Sequence, residues 1–240
     1  MVSRTATMRP PTRTAPFLIM KNIVVLISGR GSNFAAIAEV ARKENWAADG
    51  VAIAAVVSNR PDAAGLEKAK AFGIATHVVD HKAFDTREAF EDAMMKVIDA
   101  YHPEVIVLAG FMRILTPHFV DHYEGRILNI HPALLPLFKG LDTHQRAINE
   151  GVRIAGCTVH VVSSELDGGS IIGQAVVPVR PSDTADALAH RVLRLEHILY
   201  PRSVKAVAQG RVKIVDGRTI TDDETAKTLA VFDGETGSVA

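Results

Sequence analysis

The feature that most constrains the fold is a regular alternation of short apolar runs with segments of helical spacing. Residues 21–28 read KNIVVLIS, a continuous apolar run of the kind that a strand buried on both faces requires. Residues 32–46 then carry apolar side chains at helical spacing, and a second β-branched run follows at 51–57. The pattern continues with helices at 62–72 and 86–101 and strands at 75–79 and 105–108. It predicts an α/β fold with a Rossmann-like, doubly wound and mostly parallel sheet.

The second half of the chain departs from this alternation. A strand is predicted at 127–130 and a helix at 143–149, and two extended runs follow at 155–162 and 171–179. The residues between these two runs are too few for a helical crossover, so the runs should pair antiparallel at the edge of the sheet. A final amphipathic helix at 184–208 should pack on that sheet.

Composition limits the classes of function. The 240 residues, of which 48% are hydrophobic, can form one substantial core. The 27 basic and 27 acidic residues cancel, so a small-molecule substrate is expected rather than a nucleic acid. No apolar run reaches the roughly 20 residues that cross a bilayer, so no membrane partner is expected. Cys157 is the sole cysteine, which excludes an internal disulfide and favours a cytoplasmic protein.

The two ends of the chain differ from the rest in composition. Residues 1–20 are rich in arginine and proline and contain no acidic residue, which indicates a disordered leader. Residues 216–240 are polar and contain glycine, and we expect a loosely attached C-terminal tail. The expected catalytic domain therefore spans residues 21–215. The sequence leaves a monomer and a homodimer open.

The loop after the first strand, Ser28-Gly29-Arg30-Gly31-Ser32-Asn33, is a candidate phosphate site. Backbone amides at the N-terminus of the following helix can hold a phosphate, and the glycines allow its close approach. A dinucleotide is the less favoured ligand, because Phe34 stands where the G-x-G-x-x-G pattern requires a third glycine. We therefore expect a monophosphate. The alternative is an ordinary turn in which Ser32 caps the helix.

Three polar residues in the second half form a candidate catalytic group. Asn129 and His131 lie two residues apart at the end of a strand, so they should point the same way. An imidazole exchanges protons near neutral pH and a carboxamide N–H can hold an oxyanion, as acyl transfer to an amine requires. Asp167 lies in a Glu-Leu-Asp-Gly-Gly turn and could contact His131 directly or through a water. The alternatives are a structural histidine and a simple Asp-Gly hairpin.

Two further features leave less clear expectations. Residues 109–115 read AGFMRIL, an apolar stretch just outside a strand, where a turn is normally polar. It either binds a flat apolar ligand or covers a neighbouring helix. His118 and His122 stand four residues apart, but no third ligand has a suitable spacing, so we expect no metal site.

Five segments of the chain match one known family in both order and spacing. They are NIVVLISGRGSN (22–33), VLAGFMRIL (107–115), LNIHPALLP (128–136), ELDGG (165–169) and LEHILYP (195–201). On these segments the chain resembles the phosphoribosylglycinamide formyltransferase family of folate-dependent formyltransferases. The resemblance implies the formyltransferase fold. It also implies transfer of a formyl group from the co-substrate 10-formyltetrahydrofolate to the amine of phosphoribosylglycinamide in purine biosynthesis, without a metal.

The resemblance also implies roles for individual residues. The catalytic trio would be Asn129, His131 and Asp167. The substrate phosphate would be bound by Gly31, Ser32 and Asn33. The amine region of the substrate would be held by Glu196. The folate would contact Arg87, Met112, Arg113, Ile114, Leu115 and Asn129.

Some positions depart from the usual residues of this family, and other functions share part of the pattern. Ala133 stands where serine is common, Leu137 replaces a basic or small residue, and Asp142 stands where histidine can occur. A formyltetrahydrofolate hydrolase and a methionyl-tRNA formyltransferase resemble the chain around its Asn-x-His-Pro segment, but each adds a further domain. A nucleotide-binding module without turnover is a third alternative, which the presence of the complete trio disfavours.

Overall fold

The computed structural model describes residues 20–233. The expected leader lies outside the described residues except for Met20. Within 20–233, no helix combines the length and the apolar character that crossing a bilayer demands.

One sheet organises the described chain. Its strands are β1 (Lys21–Ile27), β2 (Val51–Ser58), β3 (Ala75–Val78), β4 (Pro103–Leu108), β5 (Ile127–His131), β6 (Ile154–Val161), β7 (Ile171–Pro178) and β10 (Ala230–Phe232). Their order across the sheet is β10-β7-β6-β5-β4-β1-β2-β3, and β6 alone among these eight runs antiparallel to its neighbours. Strands β8 (Lys213–Val215) and β9 (Arg218–Ile220) form a separate antiparallel hairpin. The predicted doubly wound, mostly parallel sheet is confirmed.

Helices cover both faces of the sheet. They are α1 (Ser32–Lys43), α2 (Gly65–Ala71), α3 (Arg87–Asp99), α4 (Pro117–His122), α5 (Thr143–Asn149), α6 (Ala185–Ala208) and α7 (Asp223–Leu229). Strand β1 shows why two layers form, because its side chains alternate between two cores. Ile23, Val25 and Ile27 pack with α1, α2 and α6, whereas Val24 and Leu26 pack with α3 and α4. A strand that is buried on both faces therefore reads as one continuous apolar run.

Several helices begin at threonine side chains that cap them. The hydroxyl oxygens of Thr86, Thr116 and Thr184 accept hydrogen bonds from the third amide of α3, α4 and α6. Such a bond satisfies an amide that has no partner inside the helix. These caps lie at or close to the predicted helix starts, at residues 86 and 184 for α3 and α6.

The structure corrects two expectations about the edge of the sheet. Strands β6 and β7 do pair antiparallel, but β10 lies beyond β7 and pairs with it in parallel, so β7 is not the edge. The expectation of a loosely attached tail was wrong for α7 and β10, where Leu229 and Val231 are buried. Asp222 caps α7, and most residues of that helix are polar. The sequence pattern therefore did not indicate that two apolar side chains anchor the segment. Residues 234–240 lie outside the described chain.

Candidate active site

The carboxyl end of β5 brings the predicted trio together. His131 Nδ1 lies 3.4 Å from Asp167 Oδ2, and the two side chains are only 6% and 10% exposed. Asn129 stands two residues earlier on the same strand. Asp167 comes from the connection between β6 and β7, which folds over the strand ends. The hypothesis that this turn reaches His131 is confirmed.

Two contacts fix the imidazole of His131. Its Nε2 lies 2.9 Å from the carbonyl oxygen of Phe138, which can only accept, so Nε2 carries a proton. The other ring nitrogen, Nδ1, then faces Asp167. Asp167 is held in turn, because its Oδ2 accepts a hydrogen bond from the Gly140 amide at 2.9 Å. The loop after β5 and the turn after β6 thus clamp the ring from two sides.

His160 completes the cluster, and sequence reasoning missed it. Its Nδ1 lies 3.0 Å from the carbonyl oxygen of Val161, so Nδ1 carries the proton and Nε2 accepts a hydrogen bond from Asn129 Nδ2 at 3.2 Å. The same Nε2 lies 3.8 Å from Asp167 Oδ1. Burial lowers the pKa of His160, which favours this neutral form. No local sequence pattern marks His160. The antiparallel register of β5 with β6, which the structure shows, places His160 opposite Asn129.

The turn that carries Asp167 needs its glycines. Asp167 has φ 49°, a left-handed conformation that aspartate tolerates better than most residues. A Cβ at Gly169 would overlap the carbonyl oxygen of Val161, and a Cβ at Gly168 would lie only 2.7 Å from the Cβ of Glu165. The Asp-Gly-Gly sequence therefore agrees with both interpretations, a tight turn and a contact with His131. It closes the β6–β7 connection and presents the carboxylate to His131.

The predicted phosphate loop presents free helix amides. Gly31 occupies the N-cap of α1 with φ 62°, and no described side chain caps the helix, so the alternative of an ordinary turn capped by Ser32 does not hold. A Cβ at Gly31 would lie 2.9 Å from the Cα of Gly65, so any side chain there would collide with the start of α2. Uncapped amides at the start of a helix form an anion-binding site. Phe34 lies in the core, which agrees with the argument against a dinucleotide.

Glu196 lies next to this loop. Asn33 Nδ2 donates to Glu196 Oε2 at 2.7 Å, across 163 residues of sequence. Burial raises the pKa of Glu196, and the hydrogen bond from Asn33 opposes that effect. Asn33 Oδ1 is buried and has no hydrogen-bond partner within residues 20–233. A buried, unpaired acceptor at the start of α1 indicates that a ligand donates to it.

The apolar stretch after β4 divides its side chains between the core and the surface. Phe111 and Leu115 pack against the core under α3 and α4, whereas Met112 and Ile114 are 78% and 68% exposed. The Met112 amide donates to Ser28 Oγ at 2.8 Å, which fixes the backbone of the stretch. Two apolar side chains are therefore held outward beside the strand ends.

The two predicted cationic residues of the folate site lie near this stretch. Arg113 stacks over the ring of Phe90, with its guanidinium carbon 5.3 Å from the ring centroid. Arg87 is the exposed first residue of α3, the helix that also carries Phe90. The rim between β4 and α3 thus carries positive charge next to exposed apolar groups.

The histidines of α4 contact two separate carboxylates. His118 Nε2 lies 2.9 Å from Asp92, and His122 Nε2 lies 3.1 Å from Asp99. In the part of the chain that the structure describes, no group of three or more possible ligands could hold a metal ion.

The three departures from the family pattern lie in the loop between β5 and α5, outside the trio. Ala133 is buried and donates its amide to the carbonyl oxygen of His131 at 2.9 Å. Asp142 is the N-cap of α5 with φ 56°. Leu137 is 61% exposed. It lines an apolar cavity of about 120 Å³ between the loop after β5, helix α5 and the start of β6.

The chain matches one sequence family, several curated proteins and several solved structures. Residues 21–204 match the sequence family described as formyl transferase. The chain is 48% identical to phosphoribosylglycinamide formyltransferase of Escherichia coli (strain K12) over 203 residues, 85% of this chain and 94% of that protein. It is 43% identical to the human trifunctional purine biosynthetic protein adenosine-3 over 80% of this chain and 19% of that protein. The crystal structure of phosphoribosylglycinamide formyltransferase from Anaplasma phagocytophilum superimposes with a TM-score of 0.80 at 42% identity, over 89% of this chain and 99% of that one.

Proposed function

Because the chain belongs to the formyl transferase family, we propose that it transfers a formyl group from 10-formyltetrahydrofolate to the amine of N1-(5-phospho-D-ribosyl)glycinamide. The products are formylglycinamide ribonucleotide and tetrahydrofolate, in de novo purine biosynthesis. The observation that carries this proposal is the buried pair of His131 and Asp167 at the end of β5, in a chain that matches such an enzyme over 94% of that enzyme's length.

The cluster at the end of β5 supplies what formyl transfer to an amine requires. The amine nitrogen attacks the formyl carbon, a C–N bond forms, and negative charge develops on the formyl oxygen. Asn129 and protonated His131 stabilise that oxygen. Asn129 Nδ2 has a second hydrogen beside the one it donates to His160, and His131 turns its Nε2 N–H from the Phe138 carbonyl oxygen to the formyl oxygen when the substrates bind. The bond from the formyl carbon to the folate nitrogen then breaks. Asp167 supports His131 and helps to carry the proton from the attacking amine to the departing nitrogen.

The phosphoribosylglycinamide lies across the start of α1. The amides of Gly31, Ser32 and Asn33 bind the phosphate, since no side chain of the described residues competes for the helix N-terminus. Glu196 holds the amine region of the substrate from α6. A cationic or hydrogen-bonding ligand there would offset the cost of a buried carboxylate.

The folate lies along the rim after β4. The backbone of 112–115 contacts the flat pterin, with Met112, Ile114 and Leu115 as apolar neighbours, and Asn129 contacts the folate at the formyl group. Arg87 and Arg113 face the acidic portion of the folate. The observations that support this placement are the outward apolar side chains and the nearby guanidinium groups.

The wider setting follows from the same proposal. Residues 21–215 form the catalytic domain, on which α7 and β10 pack as an added edge. The substrates are small molecules, and neither a nucleic acid nor a membrane takes part. The protein works in the cytoplasm as a monomer or a homodimer.

The decisive experiment is an assay of formyl transfer to phosphoribosylglycinamide, with water as the competing acceptor. Wild type is expected to form formylglycinamide ribonucleotide, and His131→Ala should lose most of that rate. His118→Ala, which removes an exposed histidine on α4, is the matched control and should retain it. Formate that appears regardless of the amine would indicate a hydrolase. Binding of both ligands without any product would indicate a binding module.

A further inference from the structure

A buried tyrosine joins the two strands that carry the site. The hydroxyl of Tyr200, on α6, lies 3.0 Å from the carbonyl oxygen of Leu108 and 2.9 Å from that of Leu128. Leu108 ends β4 and Leu128 lies in the neighbouring strand β5. The hydroxyl has one proton, which the two carbonyl oxygens share, so the Tyr200 oxygen links the two strands at this point.

Each of these carbonyl groups immediately precedes a functional part of the site. The residue after Leu108 opens the apolar stretch 109–115, and the residue after Leu128 is Asn129. A displacement of either peptide would therefore be passed directly to the folate rim or to the trio. Tyr200 itself is fully buried, so it cannot touch a substrate.

The same helix face also reaches the phosphate loop. Glu196 precedes Tyr200 by four residues, one helical turn, and receives the hydrogen bond from Asn33 at the start of α1. One face of α6 thus contacts the phosphate loop through Glu196 and strands β4 and β5 through Tyr200.

Packing alone does not require a hydroxyl at this position. A phenylalanine would fill the same space, and burying a hydroxyl costs free energy unless it is hydrogen-bonded. Burial also raises the pKa of Tyr200 well above its usual range, so the group remains a donor. We infer that Tyr200 is a positioning residue, which fixes the folate rim and Asn129 relative to each other through the carbonyl groups of β4 and β5. This inference rests on the proposed function.

The test compares Tyr200→Phe with Tyr123→Phe. Tyr123 is equally buried, and its hydroxyl donates to Asp99 at 2.8 Å in the core under α3 and α4. Both variants lose a buried hydroxyl, but only the first loses one at the site. Displacement of a reacting group by 1 Å can lower the rate about a hundredfold. The displacement expected in Tyr200→Phe is well under 1 Å, so its kcat should fall about tenfold. KM for both substrates should stay within about twofold, and Tyr123→Phe should keep the wild-type kcat.

Hydrogen–deuterium exchange gives a second readout that does not depend on turnover. Tyr200→Phe should exchange faster than wild type in peptides covering 109–116 and 127–135, and Tyr123→Phe should not. A Tyr200→Phe protein with unchanged kcat, or with a loss no larger than that of Tyr123→Phe, would overturn the inference, as would unchanged exchange in both peptides. If wild type itself forms no product, the proposed function fails, while the exchange comparison still decides whether Tyr200 fixes the strand ends.

Discussion

The contact between His160 and Asn129 allows a quantitative prediction. His160 fixes the orientation of the Asn129 carboxamide, because its Nε2 accepts from Asn129 Nδ2 at 3.2 Å. His160→Phe fills most of the same buried space and removes the acceptor. The carboxamide can then turn over and present its oxygen, rather than its N–H, to the developing oxyanion.

The size of the effect follows from one hydrogen bond. A neutral hydrogen bond contributes about 1 kcal/mol, which corresponds to a bias of about fivefold between the two carboxamide orientations. We therefore expect kcat of His160→Phe to fall about two- to fivefold, the larger value applying where the variant prefers the flipped carboxamide. Removal of the donor itself, in Asn129→Ala, should cost about 10²- to 10³-fold. His160→Gln retains an acceptor and should recover part of the loss.

Steady-state kinetics of a double-mutant cycle provide the assay. If His160 acts through Asn129, then His160→Phe should have no further effect on kcat in an Asn129→Ala background. Because burial lowers the pKa of His160, the wild type should keep this contact to pH values below 6.5. A loss that multiplies with that of Asn129→Ala would refute the argument, since His160 would then act independently.

Four further substitutions test other parts of the structure. Gly169→Ala should abolish most activity, because its Cβ would overlap a carbonyl oxygen of β6, whereas Gly168→Ala should lose less activity, because its Cβ would clash with side-chain atoms of Glu165 in the same turn rather than with the backbone of the sheet. Glu196→Gln should raise KM for phosphoribosylglycinamide. It should also stabilise the fold at pH 8 relative to wild type, with the difference vanishing near pH 4 in urea titrations, because the raised pKa of Glu196 makes wild-type stability fall as pH rises. Asp183 pairs with Arg191 at 2.6 Å, and its pKa of about 2 against a usual 3.8 corresponds to about 2 kcal/mol. Asp183→Asn should lower the free energy of unfolding by that amount at pH 7, and the gap should close between about pH 4 and pH 2; equal unfolding curves at pH 7 would contradict this.

Much of the fold could be predicted because it depends on local patterns. The run at 21–28 predicts β1 to within one residue, and the spacing at 184–208 predicts α6 to within one residue at its start. The positions of Asn129 and His131 at a strand end, and of Asp167 in a glycine-rich turn, are likewise visible in the sequence. By contrast, α7 and β10 escaped prediction. Strand β10 has only three residues, too few for a periodicity of its own, and it needs the edge of β7 to form.

The sequence by itself determined the alternation of strands and helices up to α6, the glycine-rich loop after β1 and the residue types available for formyl transfer. Only the tertiary structure decided which distant groups support them. His160 reaches Asn129 across 31 residues through the register of β5 with β6. Tyr200 reaches Leu108 and Leu128 across 92 and 72 residues through the packing of α6 on the sheet. Apolar periodicity shows which face of an element is buried, but strand register and helix packing select the atoms that meet there, and these depend on the whole core.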